Sequence, residues 1–127
     1  MDNERTANIT IGEVEHTLIL TTKATKEIAG RYGGLENLGD KLMKSENFEM
    51  AISEIVWLIT LLANQSVLIH NLKNKEAKKA LLTEDEVELL TSPFDLAGYK
   101  AAIMEALYRG TKRNIESEND SKNGVVG

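Results

Sequence analysis

The chain has 127 residues, a net charge of −5, no cysteine and charged side chains at 28% of its positions. That length makes one domain, able to bury roughly two-thirds of its unfolded surface. The missing cysteines exclude a disulfide framework and thiolate metal or redox chemistry. The acidic balance argues against nucleic acid, whose affinity rests on Lys and Arg neutralising phosphates.

The start, Met1-Asp2-Asn3-Glu4-Arg5, lacks the basic-then-apolar order of a signal peptide, so export is not expected and a cytoplasmic location fits. Residues 1–7 are expected to be flexible. The stretch from Ile9 to Leu20 has two alternating, β-branched arms around Gly12 and Glu13, which predicts a hairpin over about 8–21. A two-stranded hairpin is marginal alone in water. It must lie on helices or pair with a strand from another molecule, and both options stay open, self-association included.

Thr21 or Thr22 can cap a helix over 22–32, with Ala24, Ile28 and Ala29 on one side and Gly33-Gly34 as its stop. Leu35, Leu38 and Leu42 suggest a short helical turn. Ser45 then stands as a cap before a long helix over about 46–69, which carries the unbroken run from Ile55 to Ala63. Those nine positions are too few to cross a bilayer, which takes about 20 apolar residues, so no membrane partner is expected. Two stripes can be drawn on this helix: Phe48, Ile52, Ile55, Ile59 and Leu62 on one face, Trp57, Leu61 and Leu68 on another. One stripe suffices for a core. The second, Trp57 above all, either completes that core or anchors a partner.

The polar segment from Asn71 to Lys79 reads as a loop or a frayed helix end. Thr83-Glu84-Asp85-Glu86 is a capping box, predicting a helix over 83–91. Ser92-Pro93 ends it and opens the next, because proline in a first turn forfeits no hydrogen bond. Leu96, Tyr99, Ile103, Ala106 and Leu107 then recur at helical spacing, predicting a helix over 95–114 with one buried stripe. Phe94 and Tyr108 are expected to pack. Residues 117–127 are too polar to order themselves and are expected to form a disordered tail. The fold class is therefore mainly α with a small N-terminal β-hairpin: one compact helical domain over 8–116, built around one long apolar helix.

Chemistry is sparse. The two histidines, His16 and His70, have no second ligand at helical spacing. Glu84, Asp85, Glu86 and Glu88 lack the alternating ligands and central glycine of a calcium loop, and acids suit a helix start. Gly30, Gly33, Gly34 and Gly39 match no phosphate-loop pattern. No serine stands in a nucleophile motif. No metal, cofactor or catalytic residue is expected, and no enzyme.

The order of segments carries a resemblance. Leu18-Ile19-Leu20-Thr21-Thr22-Lys23-Ala24-Thr25-Lys26-Glu27-Ile28-Ala29 follows the hairpin and leads to Arg31-Tyr32-Gly33-Gly34-Leu35; the helix E-I-V-W-L-I-T-L-L-A comes after. Over roughly Ile9 to Gly110 the chain resembles the tail assembly chaperones of long-tailed bacteriophages and prophages, a group that includes the related small protein of gene transfer agents. The resemblance implies a small cytoplasmic helical protein of the bacterial host. Its partner would be the tape measure protein, kept soluble while tail-tube subunits polymerise around it, and it would be absent from the finished virion. Trp57, Leu61 and Leu68 are the residues expected to contact that partner. A structural tail or head–tail joining component, or a small regulatory adaptor that binds a host helix, are the alternatives.

Overall fold

A computed structural model describes the backbone of residues 6–44 and 48–126, and the side chains of 6–38, 40–41 and 52–111. The elements in chain order are β1 (Thr6–Ile11), β2 (Val14–Ile19), α1 (Thr22–Tyr32), α2 (Leu35–Lys44), α3 (Phe48–Lys73), α4 (Glu84–Leu90) and α5 (Pro93–Val126). The chain is mainly helical with an N-terminal hairpin, arranged around α3.

The hairpin turns at Gly12 (φ 53°) and Glu13 (φ 71°). Positive φ at both central residues is the primed type I turn, whose twist matches that of paired strands. Register then follows, Ile11 facing Val14 and Ala7 facing Leu18. Strand β1 begins at Thr6, and Thr6 and Ala7 are buried. The expected flexible start therefore ends sooner than residue 7; its first five positions lie outside the described residues. Successive residues of a strand point to opposite faces, yet Leu18 and Ile19 are both buried. Helices must cover that end of the hairpin on both sides, and α3 and α5 are the two that pack on it.

A two-residue turn makes Ile11 and Val14 a hydrogen-bonded pair, so the alternate pairs, Thr10–Glu15 and Asn8–Thr17, turn their backbone groups away from the partner strand. Side chains from the helices meet them there. The Tyr99 hydroxyl donates to the Thr10 carbonyl at 2.5 Å, and Ser66 Oγ donates to the Thr17 carbonyl at 2.8 Å. Both outer edges thus receive a bond from within the chain, and the hairpin lies on its own helices.

Helix α1 has Thr21 as its N-cap and Gly33 (φ 87°) as its left-handed stop, as its sequence requires. The Thr21 hydroxyl also donates to Gln65 Oε1 at 2.6 Å, tying the cap to α3. Leu35 begins a full helix rather than a single turn. The expected Ser45 cap lies outside the described residues, as does the Phe48 side chain. The capping box at Thr83 forms, with Thr83 N donating to Glu86 Oε1 at 2.9 Å and Glu86 N to Thr83 Oγ1 at 3.1 Å. Ser92 and Asp95 exchange the same pair of bonds ahead of α5.

The α5 stripe of Leu96, Tyr99, Ile103, Ala106 and Leu107 is buried throughout. Phe94 and Tyr108, by contrast, are 89% and 62% exposed. Helix geometry explains the correction: at about 100° per residue, Phe94 stands about 200° from Leu96 and Tyr108 about 140° from Ile103. The α5 backbone continues to Val126, past the boundaries expected at 114 and 117. No proline interrupts it after Pro93, and propagation adds one hydrogen bond per residue once a helix is nucleated.

On α3 the buried set is Ile55, Val56, Leu58, Ile59, Leu62, Ala63 and Gln65. It is broader than the single stripe drawn from periodicity, because the helix meets the hairpin on one flank and α5 on another. The helix also offers 22 residues from Ile52 to Lys73 that are long and apolar enough, by length and composition, to cross a membrane. The nine-residue run alone understated that length. Gln65, Ser66 and Asn64 nevertheless each hydrogen-bond to another segment of this chain, which is how a core helix uses its polar positions.

Candidate functional site

The side of α3 turned away from the buried set carries the three residues singled out from the sequence, and the structure places them in two different settings. Trp57 and Leu61 are half-buried at the margin of the core. Leu68 lies farther along and lines an open cavity of about 360 Å³ with Asn71, Leu72, Lys75 and Lys78. The three share one side of the helix without forming a single pocket.

Trp57 sits in a built environment. Tyr32 meets it edge-on, with ring centroids 6.1 Å apart and planes at 69°. The Arg31 guanidinium lies 4.3 Å from the Trp57 centroid, the geometry of a cation–π contact. Glu54, one turn earlier on α3, organises this group. It accepts a hydrogen bond from the Tyr32 hydroxyl and pairs with Arg31 Nε and Lys41 Nζ, each at 3.2 Å. Helices α1, α2 and α3 are therefore joined at one carboxylate. Its side chain is only 12% exposed, so these contacts are less screened than an ordinary surface pair.

The ionisation of the group follows from that geometry. Burial pushes the Glu54 carboxyl up, but the Tyr32 hydroxyl, Lys41 and Arg31 together outweigh it and hold the group below its ordinary 4.5. Burial first, then the bond to Glu54, pushes the Tyr32 hydroxyl above its ordinary 10.0. Burial also lowers His16 from 6.5, with nearby Glu86 opposing. For Glu54 and His16 the unfolded chain binds more protons as the pH falls, so the stability they supply is present above their ordinary values and lost below them. For Tyr32 it is present below 10.0 and lost above. Urea midpoints should accordingly decline below pH 6.5, fall faster below 4.5 and fall again above 10.0. Glu54→Gln should cost about 1–3 kcal/mol at neutral pH and flatten the arm below 4.5. The same acid slope in both proteins would refute this role for Glu54.

Farther along α3 two asparagines make a repeated contact that was not legible from the apolar pattern. Asn64 Nδ2 donates to the Leu82 carbonyl at 2.8 Å and Asn64 Oδ1 accepts from the Leu82 amide at 2.7 Å. One heptad later Asn71 does the same to Lys79, at 3.0 Å and 2.8 Å. His70 Nε2 adds a bond to the Ala77 carbonyl at 2.9 Å. The α3–α4 connection therefore runs back along the same side of α3, residue 82 beside 64 and residue 79 beside 71. A signal was available: Trp57, Leu61, Asn64, Leu68 and Asn71 are spaced 4, 3, 4, 3. A polar residue at such a seam position serves to specify how it pairs.

Glu84, Asp85 and Glu86 occupy the first turn of α4, where the capping box uses Glu86. Among the described residues no group of three or more His, Asp or Glu side chains is arranged to hold a metal ion. Comparison of the chain with protein-family models, with curated proteins and with solved structures gives no match.

Proposed function

We propose that this protein is a tail assembly chaperone of a phage or prophage, an interaction protein and not an enzyme, which binds the tape measure protein through the outer side of α3. The observation that carries the reading is the division of α3. One side forms the core, while Trp57, Leu61, Leu68 and Leu72 on the other remain half-buried or exposed along four turns. Leu72 alone is 73% exposed. Apolar side chains at three- and four-residue spacing on a rigid helix suit the helix-in-groove mode, in which a partner helix is received between such anchors. The order of hairpin, L-T-x-x-A-x-x-E-I segment and long apolar helix supports the same reading by resemblance. A transient role of this kind places the protein in the host cytoplasm and leaves it out of the mature particle.

Co-expression with the tape measure protein encoded near this gene tests the proposal. The expected result is that the tape measure protein moves into the soluble fraction and co-purifies, and that Leu61→Asp with Leu68→Asp abolishes the effect while circular dichroism still shows a folded domain. No solubilisation, with this protein retained in purified particles, would instead favour a structural tail or joining component.

A further inference from the structure

The sequence between α3 and α4 is held against α3 in a way that differs from the rest of the fold. Elsewhere polar contacts between elements accompany buried apolar ones; here Asn64, Asn71 and His70 grip the backbone of residues 77–82, and Leu82 is the one side chain of that segment that is even half-buried. Lys78, Lys79, Ala80 and Leu81 are exposed, and Leu81 is 48% so although aliphatic. Since residue 82 lies beside 64 and residue 79 beside 71, the intervening backbone runs alongside Leu68, which is half-buried between those two positions on the helix and still lines the open cavity with Lys78. Recognition through main-chain N–H and C=O groups is indifferent to the side chains of the bound segment. The Asn71 bonds are exposed and can be exchanged for bonds to water at small net cost, while the Asn64 bonds are part-buried and hold the segment more firmly. Segments with few buried apolar contacts and solvent-accessible hydrogen bonds are the ones that open locally.

We infer that residues 77–82 form a displaceable strap, a resident occupant of the partner groove on α3, and that an apolar segment of the tape measure protein takes its place. The inference rests on the reading of α3 as the partner-binding side, and it adds the regulation of that side. The strap narrows access to Leu68 in the free protein without closing the cavity that Leu68 and Leu72 line, which limits the apolar surface open to nonspecific association. The asparagines make the cover reversible: their amides can return to water or bond to an incoming chain. A partner must compete with a segment of effectively fixed local concentration, so weak apolar ligands are rejected and a long helix with several anchors is favoured.

The test uses the free full-length protein with Asn64→Ala and Asn71→Ala combined, and the dye ANS as the apolar probe. Hydrogen exchange at the Lys79 and Leu82 amides should rise by about tenfold or more, as expected when a locally stabilising bond is lost. ANS fluorescence should rise several-fold, on the order of what newly exposed apolar surface gives, while the α3 core amides keep their protection. Amides 79 and 82 that stay protected, or a folded variant that binds no more dye, would overturn the strap. Should the double variant unfold, Asn71→Ala alone carries the same expectation for Lys79, because that bond lies at the surface. Tape measure protein is then added. Tighter binding by the unlatched form supports the exchange, and binding that leaves amides 79 and 82 as protected as in the free wild-type protein overturns it. A positive dye and exchange result with no tape measure binding sinks the chaperone reading and leaves the strap in place.

Discussion

Ile59→Ala is expected to lower the stability of the domain by about 2–5 kcal/mol, the range for truncating a fully buried aliphatic side chain and leaving a cavity. Ile59 is 0% exposed, in the part of α3 that faces the hairpin and α5. Domains of this kind have only about 5–15 kcal/mol in total, so the variant should be marginal at physiological temperature. Leu72→Ala, in the same helix, removes the same number of carbon atoms but from a position that is 73% exposed. Its cost should lie within about 0.5 kcal/mol. Urea unfolding of the two variants checks the assignment of the inner and outer sides of α3 directly. Equal losses would mean that the outer side contributes as much to the free domain as the core does, and would remove the physical basis for calling it a partner surface.

Gly110→Ala should destabilise by about 1–3 kcal/mol, as overpacking a close contact does. Helix propensity alone predicts the opposite, a gain of about 1 kcal/mol for alanine in a helix interior. The structure decides which effect wins. A Cβ built on Gly110 would lie 2.9 Å from both Cβ and Cδ2 of Leu20. Cδ2 could swing aside, but Leu20 Cβ is fixed to the backbone at the end of the hairpin and cannot. Gly98, in the same helix, has nothing within 4 Å of such a Cβ, so Gly98→Ala should stabilise by about 0.5–1 kcal/mol. Opposite signs for the same substitution twelve residues apart, read from urea midpoints, would establish the close approach of α5 to the hairpin. Stabilisation at both sites would refute it.

These two variants bracket what the chain makes plain from local chemistry. The α5 stripe from Leu96 to Leu107, the capping box at Thr83 and the Gly33 stop are all encoded within a few residues. Helix period and cap bonds span three or four positions, and the stripe, the box and the stop formed where their patterns placed them. Phe94 shows how such reading fails: an aromatic beside a helix start looks like packing, but its angular position relative to Leu96 puts it outside. The α5 backbone shows another failure, since polar composition in residues 117–126 carries no stop signal for a helix already under way.

The candidate site was less legible, for a physical reason. Trp57, Leu61 and Leu68 could be placed on one side of a helix from their spacing alone. What meets them could not be read, because the contacts join residues far apart in the chain: Arg31 and Tyr32 reach Glu54 across 23 and 22 positions, and Asn64 reaches Leu82 across 18. Whether the second apolar stripe of α3 completed the core or stood at its margin was open until the hairpin and α5 were seen to cover the first. Local pattern thus set the elements, their ends and the residues able to bury themselves. Long-range packing set which side of α3 went inside, demanded glycine at position 110, and laid residues 77–82 along Asn64, His70 and Asn71 on the side that remained.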